Sequence, residues 1–158
     1  MADFIYNAYK LRAATSGLNL TTGVYRCLLL SAHSDVNADD DDLATALARA
    51  GTTEIDVGVV TGYTREALTY VGTTNQAGSV EADDTNDRIE WRHDAIEFDL
   101  SPAGTPVGGI IYLDIAGDDS SDATAIPAFH FDLPGTELTS LSLSNGADGL
   151  LHIREAAA

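Results

Sequence analysis

A chain of 158 residues fits one domain, 1–158, since domains most often run to roughly 100–150 residues and bury well over half of their unfolded surface at this size. The hydrophobic fraction of 44% is ordinary, so the 25 Asp and Glu residues, set against 8 Lys and Arg, belong to the surface and loops rather than to an emptied core. A formal charge of −17 lacks the cations that nucleic acid or an anionic membrane would require, so neither is expected as a partner.

From the N-terminus, Ile5, Ala8, Tyr9 and Arg12 fall near helical spacing, which predicts a short helix over Phe4–Ala14, stopped by Gly17. It should pack across a sheet or reach a neighbour. Phe4, Ile5, Tyr6 and Tyr9 form an apolar group on this terminal segment and are the candidate partner-contact residues, packing within the chain's own domain being the other reading. After the turn at Thr22-Gly23, Val24–Leu30 becomes almost wholly apolar, as a strand central in a sheet does. Cys27 lies in this run. A lone cysteine excludes an intramolecular disulfide and a Cys-rich zinc site, and its setting suits a buried, inert thiol.

Ser31–Asp42 reads as an acidic loop. A second helix is expected over Asp42–Gly51, where an acidic start, leucines four apart, a late Arg49 and a closing glycine match the helix dipole and its stop signal. Beyond Gly62 the period changes to two, giving strands at Ala67–Val71, Arg88–His93, Ala95–Leu100, Gly109–Ile115, Ala128–Leu133, Leu138–Leu143 and Leu150–Ile153. A bulge near Asp94 would bring Ile89, Trp91 and His93 onto the face of Ile96, Phe98 and Leu100. In Ala128–Leu133 the alternation places Phe129, Phe131 and Leu133 inward and His130 and Asp132 outward. Turn chemistry at Ala116–Asp122, Pro134-Gly135 and Asn145-Gly146 favours an antiparallel arrangement over βαβ repetition. The expected fold is therefore mainly β, an antiparallel β-sandwich or barrel-like domain with one or two short helices near the N-terminus.

No motif carries reaction chemistry. Asp35, Asn37 and Asp39 are spaced like the start of a calcium loop, but the sixth and twelfth places hold Asp40 and Ala46 where an EF-hand needs Gly and Glu. A solvated acidic loop is the preferred reading, ahead of an irregular cation site at Asp35 and Asp39–Asp42, with Asp118, Asp119 and Asp122 a weaker candidate of the same kind. His33, His93, His130 and His152 are scattered, without ligand spacing, and read as surface or sheet-edge residues. Gly-x-Ser-x-Gly and phosphate-loop patterns are missing, and Glu90 and Glu97 read as solubilising charges rather than a glycosidase pair. Catalytic residues, cofactor and metal are accordingly none. The N-terminus lacks a basic region followed by an apolar core, and no stretch approaches the roughly 20 apolar residues of a membrane span, so synthesis and folding in the cytosol are expected.

Tyr6–Lys10 as Tyr-x-Ala-Tyr-Lys with its two tyrosines, Gly17–Leu20, the strand through Tyr25–Leu30, Gly62-Tyr63-Thr64-Arg65 and the late strand at Gly149–Ile153 together give a layout that resembles the head decoration, or capsid cement, proteins of tailed bacteriophages. The resemblance implies a virion structural protein without catalysis. It would sit on the outer surface of the capsid, bind the major capsid protein and form a homo-oligomer such as a trimer, assembled in the host cytoplasm. It assigns a structural role to Gly62, Tyr63 and Arg65: the glycine turns the backbone into a strand, and the two side chains cover the sheet end. The alternative reading is a phage tail component, tail-tube-associated or fibre-attaching. A halophilic enzyme or sugar-binding sandwich is motivated by acidity and fold class alone, with Lys10 as the only lysine.

Overall fold

The computed structural model describes residues 4–16, 24–68, 80–83, 88–91, 95–115, 117, 119–143 and 151–154. In chain order these form β1 (Phe4–Ile5), α1 (Asn7–Ser16), β2 (Tyr25–His33), α2 (Leu43–Leu47), β3 (Thr52–Glu54), β4 (Glu66–Ala67), β5 (Val80–Asp83), β6 (Arg88–Trp91), β7 (Ile96–Gly104), β8 (Gly108–Leu113), β9 (Ile126–Asp132), β10 (Leu138–Leu143) and β11 (Leu151–Arg154). The chain is mainly β, and every strand pair is antiparallel.

The largest sheet runs β1-β9-β8-β2-β3, with β4 also on β2. Because β2 pairs with β8 along one edge and with β3 and β4 along the other, its apolar run Cys27–Leu30 is buried on both faces. This is the environment that a continuous apolar strand requires. β8 is buried along its whole length between β2 and β9. A two-stranded sheet, β7 with β10, meets this layer in a sandwich-like way: Ile96, Phe98 and Leu100 are buried in the common core while Glu97 and Asp99 face out. Phe98 stacks with Tyr63 at 6.2 Å. β11, β6 and β5 form a three-stranded sheet.

Tyrosines are prominent in a largely aliphatic core, where Tyr6, Tyr25, Tyr63 and Tyr112 are among the largest fully buried groups. Tyrosine suits such a core when its hydroxyl finds a partner. Tyr9 and Tyr25 hydroxyls meet at 2.9 Å, and Tyr63 and Tyr112 are engaged by carboxylates. Burial pushes the Cys27 thiol well above its ordinary range, as expected for an inert core cysteine.

Three expectations of helix and strand are corrected. The N-terminal helix begins at Asn7 rather than Phe4, because Phe4 and Ile5 pair with His130 and Phe129 and extend the sheet. The Tyr6 N–H continues that pairing to the Ala128 carbonyl, and the Asn7 N–H turns to the Ala38 carbonyl. The second helix is short. Asp42 caps it, accepting the Thr45 N–H at 2.7 Å, but it stops at Leu47 with Ala48 as C-cap, so that Arg49 can reach back to Asp40 and Thr52–Glu54 can join β2. β3 and β5 were not expected from the sequence. Gly17–Leu20, Thr69–Val71, His93, Asp94 with its bulge, Asn145-Gly146 and Gly149-Leu150 lie outside the described residues. Among the described residues no helix is long and apolar enough to cross a membrane.

Candidate functional site

Gly62, Tyr63 and Arg65 do come together, at a junction between the main sheet and β7. Backbone proximity explains the glycine: a Cβ at position 62 would lie 2.5–2.7 Å from the carboxylate of Asp99 on β7, and the Gly62 N–H donates to the Ser101 carbonyl at 3.2 Å. Asp99 is itself held by the Ser101 hydroxyl and N–H, which lower its pKa.

Tyr63 follows directly. Its hydroxyl accepts the Leu29 N–H at 3.0 Å and donates to Glu54 Oε1 at 2.9 Å, tying β2 to β3. Burial, with Glu54 beside it, raises the phenol far above its ordinary range, so it stays protonated and keeps the hydrogen that it donates to Glu54. Arg65 completes the junction. Its guanidinium binds Glu54 Oε2 at 2.6 Å, Asp122 Oδ1 at 2.6 Å and Asp119 Oδ1 at 3.3 Å, and lies 5.8 Å from the centroid of the Tyr112 ring. Burial opposes its charge, but the hydrogen bonds to Glu54 and Asp122 outweigh this and hold it protonated. Planar, forked donors are what such a many-sided contact requires.

The 114–122 turn is built to deliver Asp119. Arg26 on β2 holds the buried Asp114 at 2.9 Å, and Asp114 accepts the N–H groups of Gly117 and Asp119, both at 2.8 Å. Gly117 (φ 79°) and Asp119 (φ 58°) are left-handed, a region that glycine enters freely and aspartate tolerates better than most residues.

Beside this junction lies a cleft whose lining includes Thr53, Glu54, Val57, Tyr63 and Arg65. On its rim the turn Asp56–Val60 exposes Val57 (62%) and Val59 (63%). The turn is braced, with the Asp56 carboxylate accepting the Gly58 N–H at 2.7 Å and the Asp56 carbonyl accepting those of Val59 and Val60. Two large apolar side chains are thus held out to solvent on a rigid support. Nothing in the sequence pattern set these valines apart from a buried strand.

The other candidate contact residues lie elsewhere. Tyr6 and Tyr9 are buried in the chain's own core, Tyr9 against Phe129 and Tyr25, while Phe4 and Ile5 are half-buried at the sheet edge. A partner can therefore reach Phe4 and Ile5 but not the two tyrosines in this conformation.

The acidic segments serve the chain's own arginines. Asp40 is buried and bidentate to Arg49 Nε at 2.8 and 2.9 Å, Asp42 caps α2, and Asp119 and Asp122 face Arg65. Among the described residues, these carboxylates do not bring three donor atoms together around one point.

The histidines give the main correction. His130, expected to face outward, is 1% exposed, because Phe4 of β1 stacks on its ring at 5.0 Å while Tyr9 of α1 covers Phe129 on the same strand. His33, 97 residues away in sequence, brings its Nδ1 within 3.2 Å of His130 Nε2 and 3.3 Å of Asp132 Oδ1. The signal for two of the three was present: His130 and Asp132 are two apart on one strand and so share a face. Which strand would bring the third member could not be read without the topology. No family model, curated protein or solved structure matches the chain.

Proposed function

We propose that the chain is a head decoration protein of a tailed bacteriophage, bound to the major capsid protein on the outside of the shell and strengthening it through many equivalent contacts. The reading rests on the resemblance carried by Tyr6–Lys10, Tyr25–Leu30 and Gly62–Arg65, together with one feature of the surface. That feature is the braced turn presenting Val57 and Val59 beside the Tyr63–Arg65 junction, on a molecule otherwise dominated by negative charge. Apolar side chains fixed in place before binding lose little freedom on docking, so even a small contact contributes when it is repeated over a lattice. Self-association into symmetric trimers fits this use.

The test is binding of the purified protein to heads that lack it, followed by heat and osmotic shock of the two populations. Heads carrying the protein should survive conditions that open the bare ones. A Val57→Asp/Val59→Asp double variant should keep its circular dichroism and lose attachment. Equal survival, together with no binding to bare heads, would sink the proposal; immunogold label on the tail would replace it with a tail component.

A further inference from the structure

We propose that His33, His130 and Asp132 form a binding site for one Zn2+ ion that braces β2 to β9. The site is independent of the capsid reading. Among the described residues, these three side chains bring one donor atom each within 4.8 Å of one another. Two of the three separations are 3.2 Å between the ring nitrogens and 3.3 Å from His33 Nδ1 to Asp132 Oδ1, and the third, between His130 and Asp132, falls within the same 4.8 Å. Ligands about 2.0–2.1 Å from a tetrahedral zinc stand about 3.3 Å apart, the edge of that tetrahedron. Two imidazoles and a carboxylate are also a donor set suited to Zn2+ rather than to the oxygen-seeking Ca2+ or Mg2+.

Proton bookkeeping supports the same conclusion. His33 Nδ1 lies within reach of both His130 Nε2 and Asp132 Oδ1, yet an imidazole nitrogen carries at most one hydrogen. That hydrogen can serve one of the two contacts. A cation accepts a lone pair from all three donors at once.

The fold prepares the space. β8 runs between β2 and β9, and its Gly108 stands opposite Leu30 on one side and Asp132 on the other. A Cβ there would lie 2.8 Å from His33 Nδ1 and 3.3 Å from His130 Nε2, so the bare backbone lets both rings converge above the central strand. Phe4 stacks on His130 and fixes its plane. The side chains of His33 and Asp132 are 18% and 30% exposed, which leaves an entry path and room for water in the fourth position. Three protein ligands with one open place is an arrangement that zinc commonly adopts.

The experiment uses the full chain, stripped with EDTA, dialysed and titrated with ZnCl2 by calorimetry. One equivalent should bind, and excess Ca2+ or Mg2+ should not displace it. His33→Ala and Asp132→Ala should each weaken binding by at least ~10–100-fold, the loss that removing even a ligand's supporting partner brings. His33 is partly exposed, so its variant should remain folded. Asp39→Asn/Asp41→Asn, which thins an acidic loop, should leave the affinity unchanged. A measurement that needs no variant is the histidine ring 15N spectrum of the wild-type protein, in which the signals of His33 and His130 should shift on adding Zn2+. Unshifted rings, equal affinity in wild type and His33→Ala, or displacement by Ca2+ would each overturn the site.

Discussion

Arg65 illustrates how a residue can matter more for what it neutralises than for what it attracts. Glu54 from β3 and Asp119 and Asp122 from the turn after β8 converge on it, and without it they would repel one another in a partly buried setting. Arg65→Met should therefore lower stability by about 3–5 kcal/mol, the range for breaking a buried ion pair by removing one partner, measured by urea denaturation. Arg65→Lys should recover only part of this, because a point charge cannot bridge three carboxylates with fixed, forked geometry. At the Tyr9–Tyr25 contact the expectation is smaller. Tyr9→Phe removes one side of a buried hydroxyl pair and should cost about 1 kcal/mol, with the ring packing on Phe129 kept.

At the scale of elements, β1 is two residues long, yet it seals one edge of the main sheet. Deleting residues 1–5 would expose the unpaired backbone groups of β9 and the Phe129 and His130 positions that Ile5 and Phe4 cover. Such an edge is a template for another chain. The truncated protein should melt at lower temperature and sediment as species larger than those the full chain forms, and unchanged sedimentation would argue that the edge is protected by other means. This element also shows where sequence reading stopped. Long alternating or continuous apolar runs such as Tyr25–Leu30, Ile96–Leu100 and Leu138–Leu143 were legible as strands, because each carries enough side chains of one kind to reveal its period. Phe4-Ile5 and Thr52–Glu54 carry two and three residues, too few for any period, and their state is decided by a partner strand far away in sequence. The candidate site divides in the same way. Gly62, Tyr63 and Arg65 lie within four consecutive residues and were singled out together, whereas Val57 and Val59 became visible only once the turn exposed them, and His33 met His130 only through the order of β2, β8 and β9.

Across the whole molecule, charge governs the response to solution conditions. Asp114 is the clearest titrating group: burial works against its charge, but the Arg26 hydrogen bond and the N–H groups of Asp119 and Gly117 prevail and hold its pKa below the ordinary 3.8. A carboxyl whose folded pKa is depressed stabilises the fold above its unfolded pKa, and that contribution disappears as pH falls through the lower, folded value. Stability should thus decline on acidification below about pH 4, and Asp114→Asn should flatten that part of the curve in denaturation series run at successive pH values. Self-repulsion of a −17 chain predicts the opposite sign for salt: raising NaCl from low ionic strength should raise Tm, since the Debye length shrinks to about 10 Å at 0.1 M.

Arg26, Arg49 and Arg65 spend their charge inward, against Asp114, Asp40 and the Glu54–Asp122 group, so three of the chain's 8 basic residues are already matched while its 25 acidic residues stand in large excess. A closely packed layer of such molecules would behave as a fixed-charge film. Mobile cations would partition into it by Donnan equilibrium and draw water after them, so the layer would swell in dilute medium and contract in brine, changing its thickness without any change in the fold beneath.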